Sequence, residues 1–179
     1  KDLYNWVATI LHESITKTDL ALLHRQWQAL YDNDLNSFDD NEHLVFATRE
    51  TSELLAAECA MGSALIRLIT NLKVKDYTFD RLSLPFYIGH YPKLSFVSSF
   101  AIASHLFELD MEMTLYGFTW TFIDNQVAAG LKLIPLGQTD GQNLLFSLSN
   151  HIPECVSITL RQQTNSIGQS MAGLAIASS

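Results

Sequence analysis

The sequence is short of several things at once. Only two cysteines occur in 179 residues, Cys59 and Cys155. Neither has metal-ligand spacing and two give no disulfide framework, so a reducing cytoplasmic setting is expected. Eight glycines and four prolines are too few for a collagen-like or Pro-rich linker protein. Basic residues are scarce: 11 Lys+Arg stand against 19 Asp+Glu, a net charge of −8, which leaves no basic stripe for nucleic acid. Charge of either sign is thin at 17%, against about 25% in an average soluble chain. It thins further along the chain, from 8 basic and 13 acidic residues in 1–90 to 3 and 6 in 91–179. The second half is therefore expected to supply the central core, an oligomer interface, or both. The longest uncharged apolar stretch, Leu94–Phe107, is too short and too rich in Ser to span a membrane, which takes about 20 apolar residues. Lys1 is followed by an amphipathic pattern and no signal-peptide core. The chain opens without Met and stops at Ser178–Ser179, as expected of a piece trimmed at one or both ends.

The usual catalytic signatures are missing too. There is no GxxxxGK phosphate loop and no GxGxxG. Gly168-Gln-Ser170-Met-Ala172 departs from the nucleophile elbow at its last position. His12–Glu13 opens like a zinc-protease pair, but Thr16 stands where the second His belongs. The six histidines are scattered with no pair at helical ligand spacing, so no metal site is expected and each reads as a surface or hydrogen-bonded side chain. Cys59, in an apolar helix, reads as a small core residue.

What the sequence does have is apolar content, 47%, enough for one domain over residues 1–179 with a full core. The periodicity is helical nearly throughout. Leu3, Trp6, Val7, Ile10 and Leu11 form one face of a first helix. Thr18–Asp19 reads as the start of a second, carrying Leu20, Leu23, Trp27 and Leu30. Asp32–Asp34 and Ser37–Asp40 read as turns. A helix from about Thr51 to Leu72 follows, with the stripe Leu54, Met61, Leu65, Leu68, Leu72 and Leu55, Gly62, Ile66 and Ile69 beside it. Residues 73–89 read as loop, and Tyr91–Phe107 as a helix with Pro92 in its first turn. Met111–Ile134 is apolar on two faces and is expected to be the buried central helix, ended by Pro135. Thr139-Asp-Gly-Gln142 fits a capping box opening a last long helix. No strict alternation points to a sheet, so the expected architecture is an all-α, compact multi-helix bundle.

Three polar features stand out against this background. Asp124 and Lys132 share the thin polar stripe of the central helix but lie about 12 Å apart along its axis, so each needs another partner. Asn125 and Gln126 interrupt an aromatic-rich helix, as a buried hydrogen-bond network would. Arg49, Glu50 and Glu53 gather at a helix start, where carboxylates suit the positive end. Beyond them Glu53, Ala57, Ala60, Ala64 and Arg67 make a shallow stripe on which a partner helix could lie.

The run Asp124-Asn-Gln-Val-Ala-Ala-Gly-Leu-Lys-Leu-Ile-Pro-Leu-Gly-Gln-Thr-Asp-Gly-Gln142 resembles the urease accessory protein UreF family. So do Arg49-Glu-Thr-Ser-Glu-Leu54, Met61–Gly62 with Leu65, and Gly173-Leu-Ala-Ile-Ala-Ser178 with Ile167–Gly168 upstream. The motifs come in family order and cover most of Asp19–Ser178. The resemblance implies an all-α fold, a homodimer and no catalysis of its own. It implies a scaffold that bridges UreH (also called UreD) and the GTPase UreG in the complex that loads nickel into apo-urease. GTP and nickel then belong to the partner proteins, and no cofactor to this chain. It places contact or control at Lys132, Glu53 and Asp19, with Arg49, Glu50, Asp124 and Gln138 beside them in the matching motifs. It also implies family segments before Lys1 and after Ser179. An all-α adaptor of another GTPase is the competing expectation, and a helical enzyme has no residue pair in its favour.

Overall fold

The structure, a computed structural model, describes residues 2–72, 93–134 and 137–162. Every regular element among them is helical. In order these are α1 (Asp2–Ile10), a π-helical segment (Leu11–Asp19), α2 (Leu20–Tyr31), α3 (Leu35–Ala47), α4 (Ser52–Asn71), α5 (Phe96–Leu106), α6 (Met111–Leu133), α7 (Gln138–Ser149) and α8 (Ile152–Arg161). The described residues group into two compact units, those within Lys1–His24 and Met111–Ser179, and those within Arg25–Asp110. No described helix is long and apolar enough to cross a membrane.

In the first unit, α1 buries Val7 and leads without a break into the π segment. There the Leu20 N–H bonds the Ile15 carbonyl, five residues back, which is the spacing of a π turn, and the Thr16 hydroxyl donates to the Leu11 carbonyl at 2.7 Å. The second α-helix does begin at Leu20, directly after Thr18–Asp19, but as a continuation of the π segment rather than after a capped break. Thr18 and Asp19 are buried and Leu20 keeps helical dihedrals, so their side chains face inward and the chain runs from the π segment into α2 without a break. The π segment packs on α8, and α1 packs on α6 and α7. Where α1 meets Gly130 of α6, an added Cβ would come within 2.4 Å of the Leu3 side chain. Helix α6 is buried along Leu115, Phe118, Ile123 and Val127, while Trp120 and Leu133 are exposed, Leu133 by 84%. Each of its two apolar faces is therefore buried only in part: Ile123 and Val127 lie on the face that carries Trp120, and Leu115 and Phe118 on the face that ends in Leu133. Helix α7 starts at Gln138 with Gly137 as N-cap, which leaves Thr139 inside the first turn and the expected capping box unused. The last long helix is in fact two. Pro153 in the first turn of α8 has no N–H to extend α7, so the chain breaks at Asn150–His151.

In the second unit, α2 ends in a Schellman motif. Asp34 N–H reaches the Ala29 carbonyl at 2.8 Å and Asn33 N–H the Leu30 carbonyl at 3.2 Å, with Asn33 in the left-handed region at φ 55°. Asp34 then caps α3, accepting from the Ser37 N–H at 3.1 Å and its hydroxyl at 2.6 Å. That cap places Ser37, Asp39 and Asp40 inside a helix, where the sequence suggested a turn. Helix α4 starts as expected, with Thr51 accepting from Leu54 N–H at 3.2 Å. Its buried side is not the expected one. Helix α5 packs against Gly62 and Ile69, so Leu54, Met61, Leu68 and Leu72 point outward. Gly62 is obligatory there: a Cβ would sit 2.2 Å from the Leu94 carbonyl oxygen. Helix α5 begins after the cap residue Ser95, later than expected. Pro92, Pro135, the expected loop at 73–89 and the closing segment Gly173–Ser178 lie outside the described residues.

Candidate functional site

The first unit holds Asp19, Asp124, Asn125, Gln126, Lys132 and Gln138. Lys132 is exposed in the last turn of α6, where a cation suits the negative helix end. Asp124 is exposed on the same helix and Gln138 is exposed as the first residue of α7. Asp124 and Lys132 are both exposed to water, so neither is compelled to find a partner in the core. Asn125 is exposed and Gln126 half-buried, which corrects the expected buried network: α6 turns this polar stretch outward. Asp19 is the opposite case. It is 5% exposed, so its carboxylate faces the interior and is not presented to a partner.

The second unit holds Arg49, Glu50 and Glu53. Glu50 and Glu53 are exposed. The Glu53 backbone N–H, then the Thr51 and Ser52 hydroxyls, hold the Glu53 carboxyl below its ordinary range. Arg49 is half-buried and occupied within the chain. Its Nη2 and Nε reach Glu58 Oε2 at 3.0 and 3.1 Å, and Nη1 reaches Thr48 Oγ1 at 3.1 Å. Glu58 Oε1 in turn accepts from Val97 N–H at 3.1 Å, so the ion pair fastens α4 to the first turn of α5. A second carboxylate does similar work deeper in. Glu42, 2% exposed, accepts from the Ser95 N–H at 2.6 Å, the Ser95 hydroxyl at 2.7 Å and the Ser98 hydroxyl. A negative charge there also suits the positive end of α5.

The outward face of α4 carries Leu54, Met61, Leu68 and Leu72, with Leu68 58% exposed. The spacings of seven, seven and four put them on one helical stripe. Beside it Glu53, Ala57, Ala60, Ala64 and Arg67 are all exposed, a shallow surface with a carboxylate at one end and a guanidinium at the other. Adjoining that surface at Ala60, a cavity of about 760 Å³ opens between α4 and α3, lined by Phe46, Leu55, Cys59 and Ala60 among others. Cys59 is thus a half-buried wall residue rather than core, and burial first of all raises its thiol above the ordinary range.

Sequence reasoning missed one cluster entirely. In the first unit His12 Nε2 lies 3.0 Å from His151 Nδ1. The outer nitrogens are also engaged: His151 Nε2 is 2.8 Å from the Tyr4 hydroxyl, and His12 Nδ1 is 3.8 Å from Cys155 Sγ. Burial is the main reason the Cys155 thiol is pushed above its ordinary range. The two histidines are 139 residues apart in sequence, so no local spacing could have announced them.

A family model described as UreF matches residues 1–149. The chain belongs to the UreF family. It is 34% identical over 174 residues to the urease accessory protein UreF of Marinomonas sp. strain MWYL1, covering 97% of this chain and 71% of that protein. It is 36% identical over 177 residues to the UreF of Teredinibacter turnerae, covering 99% and 76%. With the UreF of Alcanivorax borkumensis it shares 31% over 177 residues, covering 99% and 76%. UreF membership assigns the chain a urease accessory role.

Proposed function

We propose that this UreF chain is a urease-maturation scaffold that bridges UreH (UreD) and the GTPase UreG and modulates GTP-dependent nickel insertion into apo-urease. It catalyses nothing itself. GTP and nickel are carried by the partner proteins, and the chain works as a homodimer in the cytoplasm. The observation that carries the reading is the outward face of α4, four large apolar side chains in one stripe beside the Glu53–Arg67 surface. A contiguous apolar stripe rimmed by charge is the signature of a protein–protein surface. Lys132, Asp124 and Gln138 add exposed polar groups on the other unit, and Glu50 and Glu53 on this one.

The test is size-exclusion chromatography with light scattering on the protein with its natural ends, alone and mixed with UreH and UreG. A dimer that co-elutes with both in fixed stoichiometry is expected. Failure to form a complex with either would overturn the bridging role.

A further inference from the structure

We propose that His12, His151 and Glu154 form a binding site for a divalent transition-metal ion of the Zn²⁺ or Ni²⁺ kind. The site stands on the geometry of the first unit and does not rest on the urease reading. One ligand atom from each of the three residues lies within 4.8 Å of the others. The three come from two packed elements. His12 projects from the π segment, and His151 precedes α8 by one residue, with Glu154 one turn further on the same side. The inner imidazole nitrogens are 3.0 Å apart. Two nitrogens on one tetrahedral zinc stand about 3.3 Å apart, so the pair needs to open by only about 0.3 Å.

The outer nitrogens make the stronger case. A metal-bound histidine characteristically gives its other ring N–H to a fixed acceptor, which sets the tautomer and aims the lone pair. Both outer nitrogens have a polar partner in place that can take this role. His151 Nε2 faces the Tyr4 hydroxyl oxygen and His12 Nδ1 faces Cys155 Sγ. With both outer N–H groups donated, the inner nitrogens would present two lone pairs to each other. A single cation between them removes that conflict; with no metal bound, the other tautomer of His12 does so, its Nε2–H donating to His151 Nδ1 while the Cys155 S–H donates to His12 Nδ1. Two imidazoles and one carboxylate select zinc, nickel, cobalt or copper over magnesium and calcium, which prefer all-oxygen sets. Glu154 is exposed, so the cation is reachable from solvent, and three protein ligands leave a fourth position for water or a donor from another chain.

The probe is Co²⁺ titrated into the full-length protein, followed by its visible absorption and by displacement with Zn²⁺ or Ni²⁺. One ion per chain with an intense tetrahedral or five-coordinate spectrum is expected. His12→Ala and His151→Ala each weaken binding at least tenfold, and Glu154→Gln weakens it while leaving the helical circular dichroism unchanged. Tyr4→Phe, which removes only the hydroxyl that anchors His151, weakens it about tenfold. A wild-type protein that takes up no Co²⁺ overturns the site. So does Co²⁺ binding of unchanged affinity and spectrum in the well-folded Glu154→Gln and His151→Ala proteins, which would locate the ion elsewhere.

Discussion

Among the described residues, Glu108 and Asn33 are the non-glycine residues with a positive φ, and Glu108 tolerates it less well. It occupies the left-handed region at φ 55° at the end of α5, where Leu109 N–H reaches the Ser104 carbonyl at 2.9 Å and Glu108 N–H the His105 carbonyl at 3.1 Å. A side chain at that position of a Schellman motif costs about 1 kcal/mol, which glycine avoids. Glu108→Gly is expected to stabilise the protein by about 1 kcal/mol in urea unfolding. Asn33→Gly, at the matching position after α2, is expected to gain less, because Asn tolerates that region. Asp34 carries a pH signature. The Ser37 hydroxyl and then the Ser37 N–H hold its carboxyl below the ordinary value. The folded state thus favours the ionised form. Its contribution is fully present above the unfolded pKa of about 4 and is lost as pH falls through the lower, folded value. Asp34→Asn keeps the cap without the titration, so its stability should fall less steeply with acid than wild type. An unchanged acid limb would show that other carboxylates set it.

At the scale of the element, helices with strong caps or strong periodicity were legible and those with neither were not. Helix α4 was read from Thr51 and its long apolar run. Helix α3 was missed because Ser37, Asp39 and Asp40 have turn chemistry and only the Asp34 cap overrides it. The break between α7 and α8 was written in Pro153, but the run of leucines on either side masked it. The buried face of α4 could not be read, since two apolar stripes compete and Gly62 marks the one that α5 covers. Helix α5 also depends on a residue 53 positions away, Glu42, which accepts its Ser95 N–H. Glu42→Ala leaves the Ser95 N–H and the Ser95 and Ser98 hydroxyls without their acceptor. At about 1 kcal/mol or more for each, a loss of about 3 kcal/mol is expected. A loss below about 1 kcal/mol in denaturant titration would mean that water replaces the carboxylate.

For the whole molecule, the sequence motifs identified the family, whereas the surface had to come from the structure. Asp19 shows why. Its position in the motif order suggested an interface, but burial is set by which way a helix faces, and the π segment turns it inward. The His12–His151 pair was invisible for a different reason, being assembled from opposite ends of the sequence. Two substitutions separate surface from core. Leu68→Asp on the exposed stripe should leave the thermal midpoint within a degree or two and abolish co-elution with at least one partner. A large fall in the midpoint would show that Leu68 is covered within the chain's own fold. Lys132→Ala should likewise stay folded and weaken UreG binding or nickel loading; an unfolded product would make Lys132 structural.

The π segment has an evolutionary side. Its wide turns are what an α-helix becomes when one residue is inserted without breaking it. Removing a single codon between His12 and Thr16 would restore ordinary α geometry and turn His12 by about 100° relative to Thr16. The helix would survive, but the imidazole would no longer point at His151. The meeting of the two histidines thus depends on the length of the gene at one place, and a one-codon change there would alter the chemistry while sparing the scaffold.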